Sequence, residues 1–169
     1  ARICEHVIMH YNEGWANGFH YDIRYWEIWN EADLDQNMDR WKTNPRTWGG
    51  PLEEFHKFYE VAAKHLKKRF PDLKIGGPSY CRILRDKTYL YFPMFFEYMH
   101  EHDVPIDFVT WHKYDVDPSM YVKETYMLRE WMKEYGYEDA ELFLTEWNYW
   151  QLKKPGSEWA YEYYNFENR

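Results

Sequence analysis

With 169 residues, the chain has the length of one domain, and its formal net charge of −8 argues against a nucleic-acid partner, which would need clustered Lys and Arg. An aromatic content of 22% could suggest base stacking, but sugars also stack on aromatic faces and require no positive field. No apolar run approaches the roughly 18 residues of a membrane span, so no membrane partner is predicted.

Apolar periodicity predicts an alternation of helices and strands along the chain. Asp117 and Pro118 resemble a helix N-cap followed by proline at the first helical position. The predicted helices cover residues 3–16, 51–69, a stretch around 92–99, a stretch from 118 onward, and 157–166. The predicted strands cover residues 25–30, 73–77, 106–111 and 141–145.

This order of elements predicts an α/β fold. Strands separated by helices favour a parallel sheet with helices packed outside it. The polar and aromatic signatures lie at the C-terminal ends of strands, where a (β/α)₈ barrel builds its site. A doubly wound open sheet is the alternative, but no Gly-rich phosphate-binding fingerprint follows any strand. We therefore predict part of a single barrel, spanning residues 1–169.

Two predicted strands run directly into a glutamate. Residues 25–34 read YWEIWNEADL and contain Glu31, and residues 142–150 read LFLTEWNYW and contain Glu146. Hydrolysis of a glycosidic bond needs two carboxylates, one to protonate the leaving oxygen and one to attack or stabilise the sugar cation. Glu27 competes with Glu31, but it lacks an adjoining amide and lies deeper in the strand.

The motifs around these glutamates resemble those of a known family. Asn30-Glu31 closes one strand, and a later strand ends in TEWN at residues 145–148, as in the clan A glycoside hydrolases. Between them lie IGGP at 75–78 and VPIDFVTWHKY at 104–114, an order that resembles glycoside hydrolase family 39, which includes β-xylosidases and α-L-iduronidases. The resemblance implies barrel strands 4 to 7, with strands 1–3 before the chain and strand 8 after it.

The resemblance also implies a retaining double displacement. Glu31 would act first as general acid and then as general base, and Glu146 would be the nucleophile that forms a glycosyl–enzyme intermediate. Retention further implies carboxyl groups roughly 5–5.5 Å apart.

Other side chains near the strand ends are candidates for substrate binding. Asn30 would donate to the sugar 2-hydroxyl, although asparagine after a strand also forms turns. His112 and Tyr114 are two residues apart, so they lie on the same face of the predicted strand and can face the barrel mouth. Alternatively, they can be a hydrogen-bonded histidine and a packed tyrosine inside the barrel. Further candidates for a sugar subsite or cleft wall are Trp147, Asn148, Trp150, Trp41 and Trp48, although with ten tryptophans in the chain any one of them can be a core residue.

No metal or cofactor is predicted. The run His100-Glu101-His102-Asp103 ends a helix, where adjacent residues point apart, and the helix C-terminus itself favours protonated histidine. Cys4 and Cys81 match no metal spacing and are predicted to be buried thiols rather than a disulfide. The first six residues have no signal-peptide layout from which a localisation could be predicted.

The sequence thus predicts a retaining glycosidase acting on a glycoside or oligosaccharide, with residues 1–169 inactive alone. Two alternatives stay open: a carbohydrate-binding barrel remnant without turnover, and a structural α/β fragment. Upstream βα units would favour the enzyme.

Overall fold

The computed structural model describes residues 1–81, 83, 90–148, 150–151 and 162–163. Four α-helices are present in this part of the chain: α1 (Arg2–Asn12), α2 (Leu52–Arg69), α3 (Tyr91–Glu101) and α4 (Pro118–Glu134). A 3₁₀ helix covers Asn37–Lys42. The strands are β1 (Tyr25–Glu27), β2 (Lys74–Tyr80), β3 (Phe108–Tyr114), β4 (Glu141–Asn148), β5 (Trp150–Gln151) and β6 (Glu162–Tyr163).

Strands β1 to β4 form one parallel sheet in chain order, flanked by helices. This is half of a (β/α)₈ barrel, so the predicted fold class is confirmed. Because all four strands run in the same direction, their C-terminal ends lie along one edge of the sheet, which is where this architecture carries its functional residues. Strands β5 and β6 form a separate antiparallel pair.

The core lies between the sheet and helices α2 and α3. Strand β2 is buried from Ile75 to Tyr80, as expected for a parallel strand covered on both faces. Gly76 is required where β2 meets β3, because a Cβ there would collide with the carbonyl oxygen and ring of Phe108. Aromatic side chains fill much of this core, among them Phe55, Tyr59, Tyr80, Phe92, Phe95, Phe96 and Trp111.

On the concave face, side chains of non-neighbouring strands meet. The Tyr25 ring of β1 lies edge-on to Phe143 of β4, with centroids 5.7 Å apart, and its hydroxyl donates to Glu141 at 2.9 Å. Tyr25, on this face, is still 45% exposed.

Several predicted boundaries were wrong. Helix α1 ends at Asn12 rather than at residue 16, because Gly14, Ala16 and Asn17 turn through positive φ. Strand β1 ends at Glu27 rather than Asn30, because the backbone becomes left-handed at Trp29. Strands β2, β3 and β4 instead run past their predicted ends, since backbone pairing continues through polar residues that interrupt an apolar pattern.

The predicted helices α2, α3 and α4 are confirmed, and the Asp117 side chain caps α4 by accepting from the Ser119 amide at 2.9 Å. The helix predicted over residues 157–166 lies outside the described residues except at 162–163, which form a strand instead. Cys4 and Cys81 are not joined in a disulfide, and both are half-buried rather than buried. Within the described part of the chain, no helix combines the length and apolarity needed to cross a bilayer.

Candidate active site

Polar side chains from all four parallel strands meet at the C-terminal edge of the sheet. Glu31 follows β1, Ser79 lies near the end of β2, His112 and Tyr114 end β3, and Glu146 lies in β4. The structure therefore brings together both predicted glutamates and two of the predicted binding residues, although they are far apart in the chain.

The imidazole of His112 lies between the two glutamates. Its Nδ1 is 2.9 Å from Glu31 Oε1 and 3.5 Å from Glu146 Oε2. The His112 side chain is only 1% exposed, compared with 15% for Glu31 and 42% for Glu146. One carboxylate oxygen of Glu31 lies within 4.8 Å of one of Glu146. A small group placed at this edge can therefore contact both carboxylates at once.

Tyr114 holds Glu146 from the same strand as His112. Its hydroxyl donates to Glu146 Oε2 at 2.6 Å. Burial and this hydrogen bond raise the pKa of Tyr114 well above the ordinary value, and the charge of the carboxylate adds to the effect. The phenol thus stays protonated and remains a hydrogen-bond donor to Glu146.

Ser79 is a site residue that the sequence analysis missed. Its Oγ is 2.8 Å from His112 Nε2 and donates to Asn30 Oδ1 at 3.3 Å. Its carbonyl accepts from the Glu31 amide at 3.1 Å. Ser79 is completely buried and has a φ of 60°. The sequence does contain one clue to Ser79, because it is a polar residue at the end of a strand, directly after the Gly-Gly-Pro run.

Asn30 itself lies in an exposed bend between two residues with left-handed backbone, Trp29 (φ 70°) and Glu31 (φ 50°). This double turn breaks the alternation of a strand, which is why β1 ends before Glu31. Because Ser79 holds the Asn30 amide oxygen, the amide N–H₂ group is oriented to donate to a ligand.

Two of the predicted binding residues after Glu146 lie on opposite faces of β4. Asn148 pairs with Tyr114 and lies on the face of Glu146, whereas Trp147 pairs with Lys113. Paired residues of neighbouring strands share a face, so Trp147 is directed to the helix side of the sheet, where Lys113 reaches Glu124 of α4 at 2.5 Å. The structure does not bring Trp147 to the glutamates.

Trp48 and Trp41 are not at the carboxylates. Trp48 packs edge-on against Trp29 and Phe55, and its indole N–H donates to Pro51 at 3.2 Å, so it packs against helix α2. Trp41 lies in the 3₁₀ helix, with the Lys42 ammonium 5.1 Å from its ring centre. The side chain of Trp150 lies outside what the structure describes.

The only described set of three histidine or carboxylate ligands close enough to share a cation is Glu31, His112 and Glu146. Their ligand atoms already hydrogen-bond to one another and to Tyr114. We therefore assign no metal to this set.

A half-barrel with two close carboxylates at its C-terminal edge is the arrangement of a carbohydrate-active barrel enzyme. The sequence profile of glycosyl hydrolases family 39 matches residues 4–146, and the chain belongs to this family.

Curated relatives agree with this membership. The chain is 28% identical over 117 residues to a β-xylosidase of Caldicellulosiruptor saccharolyticus, covering 68% of the chain and 20% of that protein. It is 31% identical over 123 residues to a β-xylosidase of Geobacillus stearothermophilus, covering 72% of the chain and 20% of that protein. The chain thus spans about one fifth of the length of these relatives.

Solved structures show the same fold. A glucosidase from Croceicoccus marinus superposes with a TM-score of 0.73 at 26% identity, covering 94% of this chain and 31% of that one. A family 39 β-xylosidase from Caulobacter crescentus superposes with a TM-score of 0.62 at 23% identity, covering 87% and 29%.

Proposed function

We propose that the protein carrying this chain is a retaining glycoside hydrolase that cleaves O-glycosidic bonds by double displacement, with β-xylosidase-like specificity. The observation that carries the proposal is the spacing of the carboxylates, with oxygens of Glu31 and Glu146 within 4.8 Å of one another. Retaining enzymes hold their carboxyl groups about 5–5.5 Å apart, whereas inverting enzymes leave roughly 6.5–9.5 Å for a water molecule.

In the first step, Glu31 transfers its proton to the glycosidic oxygen as the bond from that oxygen to the anomeric carbon breaks. A Glu146 oxygen forms a bond to the same carbon, and the alcohol leaves. Glu146 is suited to attack because it is the more exposed of the two carboxylates and because the Tyr114 hydroxyl holds it in place.

In the second step, Glu31 is a carboxylate and takes a proton from water. The water oxygen attacks the anomeric carbon, the ester to Glu146 breaks, and the sugar leaves with its original configuration. The Nδ1 atom of His112, 2.9 Å from Glu31 Oε1, holds this carboxyl group in place through both steps. Asn30 donates to the sugar 2-hydroxyl, and Tyr114 and Asn148 line the sugar site on the face of Glu146.

β-Xylosides are the first substrates to test because two relatives are named as β-xylosidases. We expect the full-length protein to cleave 4-nitrophenyl β-xyloside faster than the corresponding glucoside, galactoside or arabinoside. Proton NMR during turnover should show a β-configured first product. An α-configured product would contradict the double displacement.

The acid role of Glu31 can be tested by leaving-group dependence. Glu31→Ala should lose roughly 10²- to 10⁴-fold on phenyl β-xyloside and far less on 2,4-dinitrophenyl β-xyloside, whose leaving group needs no protonation. Glu27→Ala, the nearest alternative carboxylate, is the matched control and should retain activity on both. Equal losses on both substrates for Glu31→Ala would contradict the assignment.

Residues 1–169 alone are expected to show little turnover. Among the described residues the sheet has four strands, and its concave face remains open enough to leave the Glu146 side chain 42% exposed. A water-exposed site stabilises developing charge less well than an enclosed one. The glycoside panel applied to this segment measures the difference.

A further inference from the structure

The backbone that carries Glu31 is in a conformation that does not persist by itself. Trp29 and Glu31 both have left-handed φ values, 70° and 50°, although neither is glycine. Side chains with a Cβ disfavour this region, and such residues persist where the surrounding structure holds them in place. Contacts with residues outside 29–31 must therefore hold this turn in place.

Thr47 contacts both strained residues. Its hydroxyl donates to the Glu31 carbonyl oxygen at 2.7 Å, and its own carbonyl accepts from the indole N–H of Trp29 at 3.1 Å. Thr47 thus holds the turn from the far end of the loop, while the Glu31 amide is held by Ser79 from the other side at 3.1 Å.

Asp35 in turn holds Thr47. Its carboxylate is fully buried and accepts from the Thr47 amide at 3.1 Å, from the Arg46 amide, and from Arg46 Nε at 2.8 Å. Burial alone would raise the pKa of Asp35, but these hydrogen bonds and the guanidinium charge outweigh it and lower the pKa. The buried group is therefore a charged acceptor, which binds amide donors more strongly than a neutral one.

We propose that Asp35 and Thr47 form a positioning clamp for the proposed acid/base: Asp35 fixes residues 46–47, Thr47 fixes the left-handed turn at Trp29–Glu31, and the turn aims the Glu31 carboxylate at the glycosidic oxygen. The proposal rests on the glycosidase function proposed above and extends it to two residues that lie outside the contacts of the two carboxylates. The clamp acts on proton transfer and leaves sugar binding to other residues.

The central experiment replaces only the clamp hydroxyl in the full-length protein. Thr47→Val keeps the shape and removes the hydrogen bond to Glu31, whereas Thr47→Ser keeps that bond. Thr43→Val is the matched control, because the Thr43 hydroxyl donates to Arg40 at an exposed position of the same loop. Kinetics are measured on phenyl and 2,4-dinitrophenyl β-xyloside.

We expect Thr47→Val to lower kcat on phenyl β-xyloside roughly three- to tenfold, the range expected for one neutral hydrogen bond. KM should stay within about twofold, and kcat on 2,4-dinitrophenyl β-xyloside should change little, because proton transfer matters less there. Thr47→Ser and Thr43→Val should behave as the wild type. Equal rates for Thr47→Val and Thr47→Ser on the phenyl substrate would overturn the positioning role.

Amide hydrogen exchange gives a second measurement that does not depend on activity. Residues 29–34 should exchange faster in Thr47→Val than in Thr47→Ser, because loss of the clamp lets the turn open locally. Asp35→Asn should accelerate exchange of residues 29–34 more strongly than Thr47→Val does. Asp39→Asn is the control, because it changes only an exposed ion pair with Lys42, and it should leave this exchange unchanged. Unchanged exchange in both Thr47→Val and Asp35→Asn would overturn the clamp itself.

The two proposals fail in different ways. The proposed function would be overturned if the wild-type protein cleaved no glycoside, or if Glu31→Ala showed no leaving-group dependence. In that case amide hydrogen exchange would still decide whether Asp35 and Thr47 hold the turn. Leaving-group dependence in Glu31→Ala together with a wild-type pattern in Thr47→Val would overturn the clamp's role in proton transfer alone.

Discussion

The two sides of the site are built by different means. Glu146 lies inside a strand, paired with His112 through the ladder between β3 and β4, and its side chain is 42% exposed. Glu31 lies beyond the end of β1 in a left-handed turn, and its side chain is 15% exposed. A ladder places a residue through many backbone hydrogen bonds, whereas the turn depends on single side chains such as Thr47. Single substitutions away from the carboxylates should therefore displace Glu31 more easily than Glu146.

The largest expected effect is on the Glu146 side, where the proposed nucleophile is removed. Glu146→Ala should lower kcat/KM by roughly 10⁴-fold or more in the full-length protein, because it removes the carboxylate that is proposed to form the intermediate. Azide fits the vacated space and should restore turnover of 2,4-dinitrophenyl β-xyloside, with an α-xylosyl azide as the product.

The same azide treatment of Glu31→Ala serves as the comparison. Because the proposed nucleophile remains there, azide should replace water in the second step and give the β-configured azide. The opposite configurations distinguish the two sides directly. A β-azide from Glu146→Ala would show that the roles are reversed.

The Glu146 side is also the side that sequence reasoning predicts best. An apolar run ending in Thr-Glu-Trp-Asn identifies the strand and its terminal carboxylate, and parallel topology brings that end to the other strand ends. The Asp117 cap is likewise readable because capping depends on residues that are adjacent in the chain. His112 and Tyr114 follow from the parity of their strand.

The Glu31 side is less predictable, for a physical reason. The left-handed turn is stabilised by Thr47 and Ser79, which are distant in sequence, and no periodic pattern encodes such contacts. Asp35 reads as one more loop carboxylate until its burial against residues 46–47 is known. Trp147 is a simpler case, because neighbouring residues of a strand point to opposite faces, and it pairs with Lys113 while Glu146 pairs with His112.

Acid should lower the free energy of unfolding through a buried histidine of helix α2. His56 of α2 is buried among aromatic rings, and burial lowers its pKa to about 4 from an ordinary 6.5. The unfolded chain therefore binds a proton below pH 6.5 that the folded chain binds only near pH 4. The free energy of unfolding should fall over this window by about 3 kcal/mol in total, and by about 2 kcal/mol between pH 7 and pH 5.

Urea unfolding at pH 7 and pH 5 measures this loss of stability. In His56→Gln most of the difference in the free energy of unfolding between the two pH values should disappear. His100→Gln, at an exposed position, is the control and should leave it intact. Behind β3 the sign is opposite, because burial raises the pKa of Glu124 despite its pairing with Lys113, so proton uptake by Glu124 favours the folded chain as the pH falls. An unchanged pH dependence in His56→Gln would contradict the assignment to His56.

A smaller effect is expected from the one hydroxyl that holds Glu146. Tyr114→Phe removes a hydrogen bond to a charged group, which is worth about 1.5–3 kcal/mol, so kcat should fall roughly 10- to 100-fold. Unlike Thr47→Val, this change should affect phenyl and 2,4-dinitrophenyl β-xyloside alike, because attack by Glu146 is common to both. Tyr126→Phe, at a residue that is 70% exposed, is the matched control. A loss restricted to the phenyl substrate would show that Tyr114 serves the acid instead.

The smallest effect is expected from Trp147, although it adjoins Glu146 in the chain. Its backbone pairs with Lys113, so strand alternation directs the indole away from the carboxylates, and the residue is 68% exposed. Trp147→Ala should therefore change kcat and KM by no more than about twofold and the free energy of unfolding by less than about 0.5 kcal/mol, as is usual for surface positions. Trp48→Ala, which removes a ring packed against Trp29 and Phe55, should destabilise the protein clearly more. A tenfold rise in KM for Trp147→Ala, without loss of stability, would show instead that its ring stacks on the sugar and that the strand turns at Glu146.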